Sequence, residues 1–303
     1  MNQEFTIQYL EQSAINRTLW DQCIDKAGNG LVYAYSWYLD RMADQWDALV
    51  LNDYEMVMPL PWRRKYGFYY LYQPFLTAQL GLFGNDVSEE VLEKFLNAVP
   101  SKFRLWEFSL NHQNRFTIKG FDLYERSNYI LSLSSGYEEI YKNYRENLQR
   151  NLRKSTQYGS YSGPANIEEA IRLAIAYSGN DHSLEMERFS LLYQDLAHKK
   201  RAACYGIYSK NQELLASAAF LFSHKRAYYL LVGNHPNGRT LGASHALLDH
   251  FIREHAGRDL LLDFEGSDIR NLAFFYSSFG AQEEKYAAIN RNRLPWYIKW
   301  LKE

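Results

Sequence analysis

The sequence has few cysteines, no surplus of charge of either sign and no long apolar run. Its two cysteines, Cys23 and Cys204, lie far apart without a CxxC spacing, so neither a disulfide framework nor a structural zinc site is indicated. No apolar run approaches the roughly 18 to 20 residues that a bilayer-spanning helix needs. The start, MNQEFTIQYL, lacks the basic and apolar regions of a signal peptide. These absences predict a soluble, cytoplasmic protein with no stable membrane insertion.

The balance of charge argues against proteins that attract nucleic acid through a global field. Thirty-four Lys and Arg against 35 Asp and Glu leave a formal net charge of -1. A chain of this kind has no long-range attraction for DNA, tRNA or an anionic membrane, so any polyanion must be bound locally. We therefore predict no DNA partner, and we rank tRNA below small molecules as a partner.

The chain is rich in the residues from which a large core is built. Of its 303 residues, 47% are hydrophobic and 16% are aromatic, which excludes intrinsic disorder as the main state. At roughly 100 to 200 residues per domain, this length favours two domains or one large domain.

Periodicity in the first half predicts helices alternating with strands. Apolar residues recur at helical spacing over residues 16–27, after Ser36 as an N-cap, and after Ser88 as a second N-cap. Apolar stretches on both sides of residues 52–53, an Asn-Asp pair, predict a hairpin. Further strands are predicted at FYYLYQP, at RLWEFSL and, as two strands, in FDLYERSNYILSL.

The second half repeats this order. The pattern predicts strand, polar turn and strand over residues 202–222, a third strand that ends at Gly233, a long helix and a buried strand, DLLLDFEG. A helix that stops at Gly280 and strands at EKYAAIN and LPWYIKW follow. The offset between the halves stays near roughly 155 residues, about one domain length. We interpret the chain as two copies of one α/β unit with mixed sheets; one continuous mixed sheet with helices is the alternative.

A basic helix is predicted between the two copies, over residues 136–157. Three cations stand three and four residues apart and share one face of this helix: Arg150, Arg153 and Lys154. One interpretation is a solvated basic face. The other is a phosphate-binding site that faces a cleft, because three focused cations attract a diphosphate that the neutral whole would not.

The segment GNHPNGRTLGASHALLDHF carries the most informative pattern. A strand ends at Gly233, a loop rich in Gly, Pro and Asn follows, and a helix is predicted to begin near Leu241. Free backbone N–H groups and the positive end of the helix dipole suit a pyrophosphate at such a start. Arg239 adds positive charge, and Gly242 removes a side chain that would block the approach. An ordinary loop with an arginine-capped turn is the alternative.

This segment resembles the pyrophosphate loop of the GNAT acyltransferase superfamily, which has Arg or Gln, two residues, Gly, one residue, and then Gly or Ala. The chain has Ser in the last of these places. The resemblance implies acyl-CoA as co-substrate, no metal, and a pyrophosphate docked on five residues: Arg239, Leu241, Gly242, Ala243 and Ser244. It also implies a splayed strand whose backbone N–H groups polarise the thioester carbonyl, at three residues: Leu231, Val232 and Gly233.

A tyrosine and a carboxylate are the candidate catalytic residues. Tyr276 stands four residues before Gly280, the spacing of the tyrosine that serves in many GNAT members as general acid for the departing thiolate. The resemblance implies that role, and a core aromatic residue is the alternative. Asp263 and Glu265 alternate with apolar residues on a predicted strand, so both point to one face. Glu265 is the candidate acceptor of a proton from an incoming ammonium, with hydrogen bonding to neighbouring backbone as the alternative.

The order of elements resembles the Fem-type aminoacyltransferases and the related acyl-CoA N-acyltransferases with a doubled GNAT fold. The resemblance rests on NLQRNLRKSTQYG, DFEGS and FYSSFG and covers nearly the full chain. It implies a degenerate GNAT-like domain over residues 1–135, the linking basic helix over 136–157, and a donor-binding, catalytic domain over 158–303. A small-molecule amine acceptor is then expected in a cleft between the copies, with three contacts: Tyr72, Gln73 and Gln79.

Three hypotheses about function follow. The first is an N-acyltransferase that moves an acyl group from acyl-CoA to an amine. The second keeps the fold but uses aminoacyl-tRNA to extend a cell-wall precursor; the absence of an inserted helical hairpin and the neutral net charge rank it lower. The third is a non-catalytic module for a nucleotide sugar or another polyphosphate. His245, His250 and His255 recur every five residues and share no helix face, so no metal site is expected.

Overall fold

Residues 5–177, 182–266 and 268–295 are described by the structure, a computed structural model. They form two compact units, each built of β-strands and flanking helices. The first unit takes in the described part of Met1–Arg126 and Lys285–Glu303, and the second is Ser127–Glu284. No helix in these described ranges is both long and apolar enough to cross a bilayer.

The first unit follows the predicted alternation of helices and strands. Ser88 caps the third helix by accepting from Val91 N, as predicted. Asn16 caps the first helix by accepting from Thr18 N and Leu19 N. Its described elements are β1 (Ile7–Leu10), α1 (Arg17–Lys26), α2 (Ser36–Met42), β2 (Gln45–Leu51), β3 (Met56–Lys65), β4 (Phe68–Tyr72), β5 (Phe83–Gly84), α3 (Glu89–Ala98) and β6 (Phe103–Ser109).

The second unit holds most of the helices. The chain enters this unit within its first strand and leaves it within its last. Its described elements are β7 (Leu123–Ser132), α4 (Tyr137–Lys142), α5 (Glu146–Gln157), β8 (Tyr161–Pro164), α6 (Ile167–Ala176), α7 (Ser183–His198), β9 (Ala202–Tyr208), β10 (Leu214–Ser223), β11 (Arg226–Asn234), α8 (Pro236–Leu241), α9 (Ala243–His255), β12 (Leu261–Gly266), α10 (Arg270–Ser277) and β13 (Gln282–Asn292).

The strands of the two units share an order of connections, and the mixture of parallel and antiparallel pairs with helices confirms the mixed α/β fold class. In the first unit β2, β3 and β4 form an antiparallel meander, α3 crosses over, and β6 pairs parallel to β4. In the second unit β9, β10 and β11 form the meander, α8 and α9 cross over, and β12 pairs parallel to β11. A parallel pair needs such a crossover connection, and a helix usually supplies it.

The compact units do not end where the sequence indicated. The sequence predicts a second domain over 158–303, but β13 pairs antiparallel with β6, so the end of the chain completes the first unit. β7 pairs antiparallel with β12 and thereby begins the second unit well before residue 158. Both differences come from pairing between strands that are distant in sequence, which local patterns do not encode.

The single basic helix predicted over 136–157 is two helices, and both belong to the second unit. α4 ends at Lys142, and α5 begins at Glu146 after an extended Arg145. The N–H of Arg145 turns out of the helical path and donates to Ser278 O at 2.9 Å. A tertiary hydrogen bond therefore accompanies the break.

Smaller expectations also differ from the structure. Ser36 is the first residue of α2 and not its N-cap, because its N–H and hydroxyl both bind the Asp21 carboxylate, at 2.8 and 2.9 Å. The segment FDLYERSNYILSL forms one strand, β7, and not two. The long helix predicted to begin near Leu241 is α9, which begins at Ala243. A shorter helix that was not predicted, α8, ends at Leu241. The last predicted strand, LPWYIKW, lies outside the described residues from Trp296 onward.

The parallel pair of the second unit separates into a gap, and that of the first unit does not. β11 pairs with β12 from Arg226 to Tyr228, yet β11 continues to Asn234. In contrast, β4 stays paired with β6 as far as its own last residue, Tyr72, which lies opposite Glu107. The second unit therefore presents unpaired strand backbone where the first unit is closed.

A buried ion cluster lies at the closed end of this gap. The Arg226 guanidinium donates to Asp263 at 2.9 Å and to both carboxylate oxygens of Glu284 at 2.8 and 2.9 Å. Asn128 donates to Asp263 at 3.0 Å. The side chains of Arg226 and Asp263 are only 9% and 3% exposed, so these charges depend on one another for solvation. The cluster joins four strands, β7, β11, β12 and β13.

Loss of the guanidinium is expected to destabilise the fold strongly. Arg226→Met leaves two carboxylates buried without their cation, and breaking such a buried pair costs about 3–5 kcal/mol of unfolding free energy. Urea denaturation followed by circular dichroism measures the change. The control is Lys225→Met, which removes an exposed ion pair with Asp259 and is expected to change stability little. Equal stability of the two variants would show that the cluster does not hold the strands.

Candidate functional site

A cavity of about 390 Å³ lies in the second unit beside the part of β11 that has left β12. This volume is within the range of small-molecule sites, roughly 300–1,000 Å³. The cavity collects residues from β11, from the junction of α8 and α9, and from α10: Tyr229, Val232, Asn234, Gly238, Arg239, Gly242, Ser244, His245, Leu272, Phe275 and Tyr276. Five predicted site residues, Val232, Arg239, Gly242, Ser244 and Tyr276, therefore line one space.

The strand backbone offers this gap the N–H group of Val232. Successive residues of an antiparallel strand direct their N–H groups alternately to the two sides. His235 N donates to Leu215 O on β10 at 3.0 Å, so the N–H groups of Leu231 and Gly233 also face β10. Val232 N–H then faces the side that β12 has left. Of the three residues predicted to donate to a carbonyl, only Val232 is oriented to do so.

The start of α9 is free of side-chain capping. Gly242 adopts a left-handed conformation with φ 72°, which ends α8 and serves as the N-cap of α9 without a capping side chain. The first N–H groups of a helix have no acceptor within it, so those at the start of α9, from Ala243 and Ser244 on, suit an anion. Arg239 is exposed and forms no ion pair with any residue that the structure describes. Leu241 is half-buried against the apolar core and does not line the cavity.

Close backbone packing explains two glycines of this segment. A Cβ on Gly238 would lie 2.1 Å from Leu215 O, and a Cβ on Gly242 would lie 2.9 Å from Asn151 O. The first places α8 directly on β10, and the second places the junction of α8 and α9 on α5. Ser244, which stands where the GNAT pattern has Gly or Ala, turns its hydroxyl to the Asn234 side chain at the end of β11. Its hydroxyl is therefore held by the strand.

The two candidate catalytic residues are electrostatic neighbours. Burial raises the pKa of Tyr276 above its usual range, and the nearby Glu265 carboxylate raises it further. Burial likewise raises the pKa of Glu265 well above its usual range. Tyr276 lines the cavity, with its ring stacked on Phe264 at 4.9 Å between centroids, whereas Glu265 does not line the cavity. Tyr276 is thus both packed in the core and open to the cavity, so the two interpretations of this residue are compatible.

The expected alternation of Asp263 and Glu265 is interrupted. The pairing of β12 with β7 shifts register between Asp263 and Gly266, and Glu265 has a left-handed φ of 64°. Asp263 accepts from the backbone N–H of Glu265 at 3.0 Å and belongs to the ion cluster. The two carboxylates therefore do not repeat along one regular strand face as predicted. A left-handed non-glycine residue costs energy, and such residues concentrate at functional sites.

The sequence did not single out His245 as a cavity residue. His245 follows Ser244 in α9, and its ring contacts Phe275 edge-to-face at 4.8 Å between centroids. Burial lowers the pKa of His245 to about 4, so the imidazole is neutral at physiological pH. The sequence signal for this position is a histidine directly after the predicted pyrophosphate loop. In the described residues, no group of three or more His, Cys, Asp or Glu side chains is arranged to hold a metal ion.

The three basic residues of α5 do not line the cavity at the start of α9. Arg150 and Arg153 are exposed and Lys154 is half-buried. Arg153 lines a different and larger cavity of the second unit, and the Nε of Arg153 donates to Gln149 O at 3.4 Å. Their role as a phosphate site stays a prediction.

The residues predicted to contact the acceptor lie in the first unit, and their side chains form hydrogen bonds with other residues of that unit. The side-chain amide of Gln73 donates to Thr77 O at 2.7 Å and accepts from Ser109 N at 2.8 Å. Gln79 accepts from His112 N at 2.8 Å and is only 2% exposed. Tyr72 accepts from Asp44 N at 2.8 Å and carries the Arg63 guanidinium 4.2 Å above its ring centroid. The contact of these residues with an acceptor stays a prediction.

The first unit lacks the features that make the second unit's cavity. Its parallel pair stays closed, and its crossover helix, α3, begins with the Ser88 side chain already bound to Val91 N. A capped helix start offers one fewer N–H group to an anion. This difference agrees with the expectation that only the later copy binds a donor.

Comparison with known proteins identifies the fold. Residues 142–270 match a family model described as an acetyltransferase (GNAT) domain. No curated protein matches the chain. Among solved structures, FemX aligns over 97% of this chain and 99% of its own, with a TM-score of 0.65 and 13% identity. A conserved protein of unknown function from Bacteroides thetaiotaomicron VPI-5482 aligns over 94% and 100%, with a TM-score of 0.62 and 14% identity. L-PGS from Bacillus licheniformis aligns over 95% of each chain, with a TM-score of 0.58 and 11% identity.

The chain therefore has the fold of the GNAT acyltransferases, and its second unit contains the segment that matches the GNAT domain. Over nearly its whole length it shares the fold of FemX. The resemblance to GNAT and Fem-type proteins that the sequence indicated is confirmed at the level of the fold. At 11 to 14% identity these structures carry no information on the donor or the acceptor.

Substitution of Gly242 is expected to disturb the junction of α8 and α9. In Gly242→Ala the left-handed backbone costs about 1–2 kcal/mol, and the new Cβ meets Asn151 O. Guanidinium denaturation measures the loss of stability. Gly257→Ala is the matched control, because Gly257 has a similar φ of 79° but open space around its Cα. If Gly242→Ala loses no more stability than Gly257→Ala, the close approach of α5 is not a constraint.

Proposed function

We propose that the protein is an N-acyltransferase that takes its acyl group from acyl-CoA and transfers it to a small-molecule amine. One observation carries the proposal: the gap beside β11, the uncapped start of α9 and Tyr276 meet at a single cavity. The gap suits the amide-bearing arm of a thioester donor, the start of α9 suits its pyrophosphate, and Tyr276 suits its departing sulfur. The coarser assignment to the GNAT fold rests on the matched domain.

The donor is proposed to bind through its charged and amide parts. The pyrophosphate accepts hydrogen bonds from the first N–H groups of α9, and Arg239 supplies a charge that no described residue neutralises. The amide-bearing arm of the donor lies along the unpaired edge of β11, where strand backbone is available for hydrogen bonding. Phe275 and Val232 form the apolar walls.

The chemistry is then divided among three groups. Val232 N–H donates to the thioester carbonyl oxygen and stabilises the oxyanion that forms when the amine nitrogen attacks the carbonyl carbon. Glu265 accepts the proton that the attacking ammonium must lose, directly or through water. Tyr276 donates its hydroxyl proton to the departing sulfur as the C–S bond breaks, and the Tyr276 oxygen regains a proton when the nitrogen of the new amide loses its second one.

The electrostatics of the pair suit these roles. A raised pKa keeps the Tyr276 hydroxyl protonated at physiological pH, so it enters the reaction as an acid. A raised pKa also brings Glu265 nearer to neutral pH, where a carboxylate is a more effective base than it is at its ordinary pKa.

A second candidate is transfer from aminoacyl-tRNA. The resemblance of the sequence to the Fem-type aminoacyltransferases, at NLQRNLRKSTQYG, DFEGS and FYSSFG, favours it. The balanced charge of the chain argues against it, because tRNA binding depends on neutralised phosphates. A third candidate is a non-catalytic module that binds a polyphosphate at the same helix start.

Calorimetric titration with acetyl-CoA, CoA and charged tRNA separates these candidates. We expect acetyl-CoA to bind the parent protein, and Arg239→Gln to weaken this binding about 10- to 100-fold, the worth of a charge-assisted hydrogen bond. Arg104→Gln, an exposed cation of the first unit, is the control. Tyr276→Phe should retain binding but lower kcat about 100-fold or more.

The outcomes against the proposal are distinct. Absence of CoA binding at millimolar ligand overturns it. Binding of charged tRNA that weakens steeply with salt and is lost on charge reversal of Arg150, Arg153 and Lys154 favours the second candidate. Binding of CoA without turnover, with or without Tyr276, favours the third.

Glu265 should leave a signature in both activity and stability. Because the base must be ionised, kcat/KM is expected to rise with pH through the pKa of Glu265, and Glu265→Gln should flatten this limb. The native state binds more protons than the unfolded chain between the unfolded pKa, about 4.3, and the raised native value. The unfolding free energy of the parent therefore falls as pH rises through that window, and this fall is absent in the variant.

The control for this experiment is Glu187→Gln, which changes an exposed carboxylate on α7. It should reproduce the parent in both pH profiles. A Glu265→Gln variant with an unchanged activity profile but an altered stability profile would mean that Glu265 is buried near the site without serving as the base.

A further inference from the structure

A second cavity of the second unit is separate from the proposed donor site. It has a volume of about 740 Å³ and shares no lining residue with the cavity at the start of α9. The helix α9 lies between them: Ser244 and His245 line the smaller cavity, and Ala246, Asp249 and Arg253 line the larger one. The opposite walls come from α4, α5 and β8.

We propose that this cavity binds a neutral, hydroxyl-rich ring compound, that is, a sugar or a closely related cyclic polyol. Three observations support this class of ligand: the charges of the lining cancel, many of its side chains carry hydroxyl groups, and its walls carry tyrosine rings.

The charged side chains balance one another. Two carboxylates and two guanidinium groups line the cavity: Glu138, Asp249, Arg153 and Arg253. Asp249 accepts from the Tyr137 hydroxyl at 2.8 Å and lies 3.6 Å from the Arg253 guanidinium. Arg253 in turn donates to the Tyr137 hydroxyl at 2.8 Å and lies 4.2 Å from the centroid of that ring. The deeper charges are thus satisfied within the protein, so the cavity as a whole favours neither an anion nor a cation.

Apart from Gln157 and His250, the remaining polar side chains of the lining carry hydroxyl groups. They are contributed by α5 and by the start of β8: Ser155, Thr156, Ser160, Tyr161 and Ser162. Ser160 is the informative one, because its Oγ is buried and has no hydrogen-bond partner among the described residues. A buried hydroxyl without a partner is costly, and a bound hydroxyl group would satisfy it as donor or acceptor.

Neighbouring groups hold the rest of the lining in place. Ser162 Oγ lies 3.0 Å from Nδ1 of His250, and Nε2 of the same ring lies 3.7 Å from Glu254. These contacts fix the orientation of the imidazole at the cavity wall. A fixed wall that carries several hydroxyls suits a ligand that presents several hydroxyls in a defined arrangement.

Tyrosine rings supply flat apolar surface beside these hydroxyls. Tyr161 is 48% exposed, and its ring is stacked on Tyr208 with centroids 5.5 Å apart. Tyr141 lines the same cavity and packs against Tyr137, with centroids 5.8 Å apart. An aromatic face next to hydrogen-bonding groups suits a ring that has apolar C–H faces and a polar edge.

Saturation-transfer NMR and calorimetry with D-glucose and N-acetyl-D-glucosamine, each at millimolar concentration, test the proposal. We expect at least one sugar to bind saturably, and Ser160→Ala to weaken binding about 2- to 10-fold, the worth of one hydrogen bond. The same variant should fold at least as stably as the parent, because it removes a buried hydroxyl that has no partner. Tyr161→Leu should weaken binding further.

Two variants decide between this proposal and its competitors. Ser217→Ala removes another buried hydroxyl without a described partner, but one outside this cavity, and should leave sugar binding unchanged. Binding of inorganic phosphate that is lost in Arg153→Gln would make this an anion site and overturn the proposal. Failure of both sugars to bind, or equal effects of Ser160→Ala and Ser217→Ala, would also overturn it. None of these results depends on acyl-CoA binding.

Discussion

The separation of β11 from β12 is the constraint on which the proposed site depends. The two strands pair as far as Tyr228 and Asp263, and beyond that point β11 pairs with no strand on that side among the residues that the structure describes. Unpaired strand backbone is usually a liability, because it invites pairing with another chain. Here it adjoins a cavity that also contains the start of α9 and Tyr276, so a ligand with amide and phosphate groups can satisfy it.

The gap stays open because both of its ends are fixed. At the closed end, Arg226 joins Asp263 and Glu284 in a buried cluster that holds β11, β12 and β13 together. At the open end, the bulge of β12 and the left-handed Glu265 turn the strand away from a regular ladder. Gly238 lets α8 pack directly on β10, which sets the start of α9 beside the gap. The first unit has the same order of elements without the gap, so the order alone does not make a site.

The sequence determined the local structure of this protein. Asn16, Ser88 and Asn166 each cap the helix that follows them, because a side-chain oxygen can reach the N–H groups two or three residues later. The Asn-Asp pair at 52–53 lies in the turn of its hairpin for a similarly local reason. The glycine and arginine of the segment 233–244 indicated the anion site, because the start of a helix is encoded within a few residues.

Only the tertiary structure decided what lies beside that segment. The members of the ion cluster are separated by long stretches of chain, from Asn128 to Glu284, so no spacing rule links them. The same holds for the pairing of β13 with β6, which returns the end of the chain to the first unit. The burial of His245, which lowers its pKa, comes from tertiary contacts such as that with Phe275 and is not visible in the sequence. Local patterns specify helices and turns because their hydrogen bonds close within a few residues, whereas strand partners, gaps and cavities depend on which distant segments meet.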